Sequence, residues 1–195
     1  GFSGVEDVFH GERNFLHAYS TDPQPRELIA DLGSRFEIRE TSLKKFCAGS
    51  PIQAPLEALL AIMSDHKLEA RDVDEITVRL PEPNARTVDN REMPDVNLQH
   101  ILALALIDGG LTFAAAHSHE RMHDPRVLEI ASRIRLIADP DLVDSRFARQ
   151  AIVETATKSG GRWHKHVRAC RGEASNPMTI EEVAAKAQEL VIPVI

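Results

Sequence analysis

Residues 150–169 read Gln-Ala-Ile-Val-Glu-Thr-Ala-Thr-Lys-Ser-Gly-Gly-Arg-Trp-His-Lys-His-Val-Arg-Ala. Residues 150–157 and 162–169 predict two strands, bounded by turn residues and rich in β-branched and aromatic types. On the second, Trp163, Lys165 and Val167 share one face, and His164, His166 and Arg168 share the other. Lys158-Ser159-Gly160-Gly161 between them is a hairpin signal, because glycines reach the positive φ values that tight β-turns require. A hairpin means antiparallel pairing, so the sheet is not built from βαβ units alone.

The same alternation occurs upstream. Ile76, Val78 and Leu80 alternate with Thr77 and Arg79, and Pro81 and Pro83 end that strand. Ile134, Leu136 and Ala138 predict another strand, and Phe36 and Ile38 a short one over Arg35–Thr41. Helical periodicity fills the gaps. Ile52, Leu56, Leu59, Leu60 and Met63 form one stripe over residues 51–66. Residues 97–107 carry Leu98, Ile101, Leu102, Ala105 and Leu106 on one side and Leu104 and Ile107 on the other. That predicts a helix buried all round, stopped by Asp108-Gly109-Gly110. Asp124-Pro125 opens a helix through about Ser132, and residues 82–95 read as a long polar loop. This order is α+β: a two-layer mixed or antiparallel sheet of about five strands with helices on one face.

The ends differ from this block. Residues 1–19 suggest two short helical turns broken at Gly11. A Pro-containing linker spans residues 20–25, and a short helix Pro25–Leu32 ends at Gly33. At the other end, Thr179 and Glu182 form a capping box. Ile180, Val183, Ala184, Ala187, Leu190 and Val191 supply the apolar face of a final helix. These terminal helices suit an all-helical domain. The expected organisation is 1–30 helical, 31–172 α+β, and 173–195 helical again.

With 195 residues, 43% apolar content and a formal charge of −7, the composition is that of an ordinary globular chain. No basic face for nucleic acid and no apolar run long enough for a membrane span stands out. Nor does a basic-plus-apolar signal peptide open the chain. The expectation is a cytoplasmic protein, with Cys47 and Cys170 as reduced thiols. Residue 1 is Gly rather than Met, which suggests a fragment or a processed chain.

An acidic protein that binds an anion must gather its cations locally, which draws attention to Thr41–Ala58. Lys44 and Lys45 precede a Gly49-Ser50-Pro51 turn and Gln53, just ahead of the first strong helix. Lysine charge, close backbone approach at glycine and the donor N–H groups of a helix start all suit an anionic ligand. Ser50 and Gln53 are candidates to hydrogen-bond it, or to cap the helix. His117, His119 and His123 match no zinc spacing and read as surface residues. His164 and His166 share a strand face where a metal could sit, but solvent is the simpler neighbour. Arg86 and Arg91 lie in the polar loop, within possible reach of an anion.

Several segments resemble the MmgE/PrpD family, which includes 2-methylcitrate dehydratase, cis-aconitate decarboxylase and an iminodisuccinate epimerase. They are Gly1-Phe2-Ser3-Gly4 with Gly11-Glu12, Leu43 through Gln53, Asn97-Leu98-Gln99-His100 through Gly110, Asp124 through Val127, and Asn176 through Thr179. They follow the family's order along nearly the whole chain. The resemblance implies a C-terminal portion in which the α+β block is a lid, and in which the terminal pieces complete a helical domain whose N-terminal half is absent. It implies an active site between these domains, no metal or organic cofactor and a small anionic carboxylate substrate, while the apolar stripes of the terminal helices, Phe9 with Phe15 and Val183 with Leu190, add the expectation of a homodimer. It places Lys44 on an active-site lysine, His100 where the decarboxylase carries a tyrosine, and Gln53 where the dehydratase carries a glutamine. Cys47 stands where relatives have proline and Gly49 where the decarboxylase has histidine, which weighs against decarboxylation. The implied chemistry is dehydration of a 2-methylcitrate-like acid, with Lys44 and His100 catalytic and Ser50 and Gln53 binding substrate. Epimerisation or decarboxylation of a similar acid, or a non-catalytic lid or dimerisation module, are the alternatives.

Overall fold

A computed structural model describes residue 1 and residues 3–192. Phe2, part of the Gly1–Gly4 motif, and residues 193–195, the end of the expected C-terminal segment, lie outside the described residues. The chain divides into two compact units, Gly1–Glu40 and Thr41–Ile195.

The first unit holds one short helix, α1 (Phe15–Tyr19), capped by the Asn14 side chain, which accepts from the His17 N–H at 3.2 Å. Phe15 meets Phe9 edge-on at 6.1 Å and Tyr19 at 4.9 Å. Pro25–Leu28 and Glu37–Glu40 are single 3-10 turns. The expected helix through Leu32 therefore stops after one turn, and the expected strand over Arg35–Thr41 does not form. Phe36 and Ile38 are both more than half exposed, so their alternation serves no buried face. None of the described residues of this unit is buried.

The second unit is an α+β fold around a four-stranded mixed sheet. In chain order it contains α2 (Gln53–His66), β1 (Val73–Pro81), α3 (Glu82–Val88), α4 (Leu98–Asp108), α5 (Phe113–Ala116), α6 (Pro125–Ala131), β2 (Ile134–Asp139), β3 (Ala151–Thr157), β4 (Arg162–Val167) and α7 (Ile180–Val191). The strand order is β2-β1-β3-β4. β2 runs parallel to β1, and the β3–β4 hairpin adds two antiparallel pairings.

Ile76, Val78 and Leu80 of β1 and Val153 of β3 turn one sheet face toward a layer in which α2 and α4 bury Leu56, Leu59, Ile62, Ile101 and Leu102. Trp163 joins that side by stacking on His66 of α2 at 4.7 Å. The register sets Thr77 opposite Glu154 and Glu154 opposite His164 on the other, polar face. Every residue from Leu98 to Leu106 is buried, so α4 is the central helix its two-sided apolar pattern predicts.

The expected loop 82–95 begins instead as α3. Pro81 and Pro83 end β1, but a proline near a helix start also presets φ, and Ala85 and Val88 then bury against the core. The capping box forms on α7 as read, with Thr179 and Glu182 exchanging hydrogen bonds, yet no α7 residue is buried. Among the described residues, no helix is long and apolar enough to cross a membrane.

Candidate active site

The segment from Leu43 to Gln53 has little regular structure, so its shape depends on its hydrogen bonds. The Leu43 N–H donates to the Gly172 carbonyl at 2.8 Å. Gly172 has φ +101°, and a Cβ there would collide with the Leu43 carbonyl oxygen, so the crossing requires glycine. The Lys186 ammonium of α7 donates to the Lys44 carbonyl.

Gln53, at the start of α2, turns its side chain back over the loop. Its Oε1 accepts from the Phe46 N–H at 3.0 Å, and its Nε2 donates to the Phe46 and Ala48 carbonyls at 3.0 and 3.1 Å. One amide thus satisfies three backbone groups that no strand or helix serves. The Gly49 N–H donates to the Asp95 carbonyl at 2.7 Å, setting the Gly49-Ser50-Pro51 turn beside the segment that leads into α4. A Cβ at Gly49 would lie 3.6 Å from that carbonyl oxygen.

The two lysines have different surroundings. Lys44 is exposed and donates to the Ala48 carbonyl at 3.2 Å, leaving two ammonium protons for another acceptor. Lys45 is half-buried, with its ammonium 5.5 Å from the centre of the Phe46 ring. It also faces Glu182, whose carboxyl is held at about 2, mainly by its hydrogen bond to Arg171 and then by the Thr179 N–H, with Lys45 a smaller influence. Lys45, Phe46 and Cys47 form one wall of a groove against Glu182 and Lys186 of α7. Lys44 is outside it. The Ser50 hydroxyl is half-buried in the turn, whose cap position is Gly49, and makes no hydrogen bond among the described residues.

His100 sits in the first turn of α4, where its N–H donates to the Asn97 side chain at 2.9 Å. The residue is 4% exposed, and the ring Nε2 has no partner among the described residues. Burial, and then the Arg121 charge, push its pKa down to about 4, so the imidazole is neutral near pH 7. Arg121 is held by Asp108 through two bonds of 3.0 and 3.1 Å, and its Nε is also without a partner among the described residues. The loop carrying Lys44, Ser50 and Gln53 thus adjoins the start of α4. No hydrogen bond or ion pair joins Lys44 to His100 among the described residues.

The MmgE/PrpD C-terminal domain model matches residues 46–195. The chain belongs to the MmgE/PrpD family. The match takes in Ser50, Gln53 and His100 and begins two residues after Lys44. No curated protein matches the chain. The MmgE/PrpD family includes lyases.

In this MmgE/PrpD chain the remaining candidates are spread out. His117 stacks on Phe113 at 4.2 Å and lies 3.9 Å from an Asp95 carboxylate oxygen, while His119 and His123 are exposed. His166 bonds to the Gln150 side chain at 2.8 Å, and His164 is exposed. Among the described residues, no group of three or more His, Cys, Asp or Glu could hold a metal ion. Arg86 pairs with Glu82 one turn back on α3. Arg91 is exposed, and its carbonyl accepts from the Asn97 side chain at 2.6 Å. Asp95 was not singled out by the sequence. It belongs to the site region only because its carbonyl meets Gly49, a long-range contact with no local signature.

Proposed function

We propose that this chain is the C-terminal, lid-bearing portion of a lyase acting on a small di- or tricarboxylic acid, removing a proton next to a carboxylate with loss of water. The observation that carries this reading is the loop conformation: Gln53 clamps residues 46–48 so that Lys44 projects with two open donors, while Lys45 is turned toward an acidic helix. Lys44 would neutralise a substrate carboxylate, and the Ser50 hydroxyl would bond to it. Gln53 would act mainly by holding the loop. His100, neutral in the resting protein, would accept the proton, since a bound polyanion nearby raises the basicity of an imidazole.

Residues 31–172 would serve as the lid, and residues 1–30 and 173–195 would complete a helical domain with the N-terminal half that the resemblance implies. Support for such a partner comes from Gly1–Glu40, where Phe9, Phe15, Tyr19, Ile29 and Phe36 are more than half exposed, a surface that suits coverage. The same exposure favours a second reading, in which the chain acts as a lid or dimerisation module without chemistry of its own.

The test is an activity screen of the chain together with its helical half against 2-methylcitrate, citrate, cis-aconitate and amino-dicarboxylates. Water loss from one of the hydroxy acids supports the proposal, while CO2 release from cis-aconitate points to decarboxylation and inversion at a carbon of an amino-dicarboxylate points to epimerisation. Lys44→Ala is expected to lower kcat/KM by about a hundredfold and Lys45→Ala by less than about fivefold. A crippled Lys45→Ala beside a near-normal Lys44→Ala would reverse the roles assigned to the pair.

A further inference from the structure

A groove of about 280 Å³ opens beside the C-terminal end of α4, away from His100 in the helix's first turn, and is lined by Arg71, Arg126, Arg133, Lys158, Ile107 and Ile130 among others. Its four cations come from separate parts of the chain. Arg71 lies in the α2–β1 connection, Arg126 on α6, Arg133 just after α6, and Lys158 at the tip of the β3–β4 hairpin. Only two of them are committed to internal partners. Arg133 pairs with Glu129 and donates to the Val73 carbonyl at 2.6 Å, and Arg71 pairs with Glu69 at 3.0 Å. The exposed side chains of Arg126 and Lys158 make no hydrogen bond or ion pair among the described residues.

In a chain of net charge −7, such convergence is not a by-product of a basic composition. Like charges gathered at one groove repel, and among the described residues lining it the single acid, Glu129, is already engaged by Arg133. An anion seated between Arg126 and Lys158 would relieve that repulsion.

We propose that this groove binds a compact multivalent oxyanion, a small molecule bearing phosphate groups or several carboxylates. Arg126 offers a planar fork that matches either oxyanion with two parallel bonds. Lys158 supplies a mobile point charge from the facing hairpin. Arg71 and Arg133 add positive potential at the sides, and Ile107 and Ile130 form an apolar floor that the ligand's carbon skeleton can cover. The site is separate from the Lys44 loop and does not depend on the lyase reading.

The test is isothermal titration of the 195-residue chain with pyrophosphate, citrate and acetate at one fixed ionic strength. Saturable binding of pyrophosphate or citrate is expected, with none for acetate, and the preferred ligand of the first two tells whether phosphate or carboxylate groups are recognised. Arg126→Gln with Lys158→Gln should weaken binding about tenfold or more, whereas Lys44→Ala should change it by less than about twofold. Both altered side chains are exposed and unpartnered, so thermal melts of the double variant should match the parent. If it fails to fold, the single Lys158→Gln variant carries the test with a loss of about threefold or more. The proposal is overturned if neither multivalent anion binds, if the charge-removed variants bind as tightly as the parent, or if Lys44→Ala abolishes binding.

Discussion

Replacing Gln53 by glutamate alters a single atom of the loop clamp and inverts its chemistry. The new carboxylate can still accept from the Phe46 N–H, as Oε1 does at 3.0 Å. It cannot donate to the Phe46 and Ala48 carbonyls, which the amide meets at 3.0 and 3.1 Å, and it sets negative charge against both. Ala48 is 1% exposed, so its carbonyl has little water to turn to, although the Lys44 ammonium at 3.2 Å offsets part of the loss. Phe46 is only half-buried, which discounts the second carbonyl. At ~1–3 kcal/mol for each donor lost, the cost at pH 7.5 comes to about 2–4 kcal/mol.

The cost depends on pH. Once protonated, the introduced carboxyl regains a donor, so its pKa is raised on folding above the unfolded value of about 4.3. The native state then binds the proton more tightly than the unfolded state. The penalty is full above the folded pKa and shrinks as pH falls through it toward the unfolded value. A shift of one unit returns about 1.4 kcal/mol. Gln53→Ala loses the same two donors and the acceptor as well but brings no charge and no titrating group, so it should cost about 2–4 kcal/mol at either pH.

The assay is urea unfolding at pH 7.5 and pH 4.5, each variant against the parent at the same pH. It is followed by the fluorescence of Trp163, the sole tryptophan, which packs on α2 through His66. The prediction is refuted if the Gln53→Glu deficit does not narrow between pH 7.5 and pH 4.5, or if the Gln53→Ala deficit narrows as much.

Three further outcomes follow from the same structure. His100, with its pKa pushed down to about 4 by burial and by Arg121, should stay neutral in the folded protein while the unfolded chain protonates near 6.5. Its stabilising contribution is present above that unfolded value and is lost as pH falls toward 4, by about 3 kcal/mol in all, and His100→Asn should flatten that part of the stability profile. Gly172→Ala should destabilise by about 1–3 kcal/mol, because φ +101° is strained for alanine and its Cβ meets the Leu43 carbonyl, with the loss read from melting temperature. Hydrogen exchange should be fast across Gly1–Glu40, where no described residue is buried, and slow from Leu98 to Leu106, and equal protection of the two in a monomer would contradict the description of the first unit.

The elements that the sequence made legible are those whose pattern is local and whose buried face is real. The hairpin at Lys158–Gly161, the all-round apolar run of α4 and the Thr179–Glu182 box each carry their geometry in neighbouring residues. Phe36 and Ile38 show the converse, since alternation without a face to bury predicts a strand that does not form. α3 was hidden because its two prolines serve both to end β1 and to start a helix, and only the burial of Ala85 and Val88 separates the two uses.

The candidate site divides along the same line. Lys44, Ser50 and Gln53 could be named from the chemistry of a short stretch, but the division of labour among them could not. Whether Gln53 faces a ligand or its own backbone depends on how far the loop folds back, and that is set at Gly172, at Lys186 and at the Asp95 carbonyl, all distant in sequence. A residue that ties off three backbone groups holds the loop's conformation, and Lys44 projects from that loop. Removing Gln53 should therefore disturb Lys44 even though the two side chains meet only through the shared Ala48 carbonyl. In an assay of the active enzyme, Gln53 and Lys44 should accordingly be non-additive, the double alanine variant losing little more than Lys44→Ala alone. Simple multiplication of their two effects would mean instead that Gln53 contributes separately from the loop it clamps.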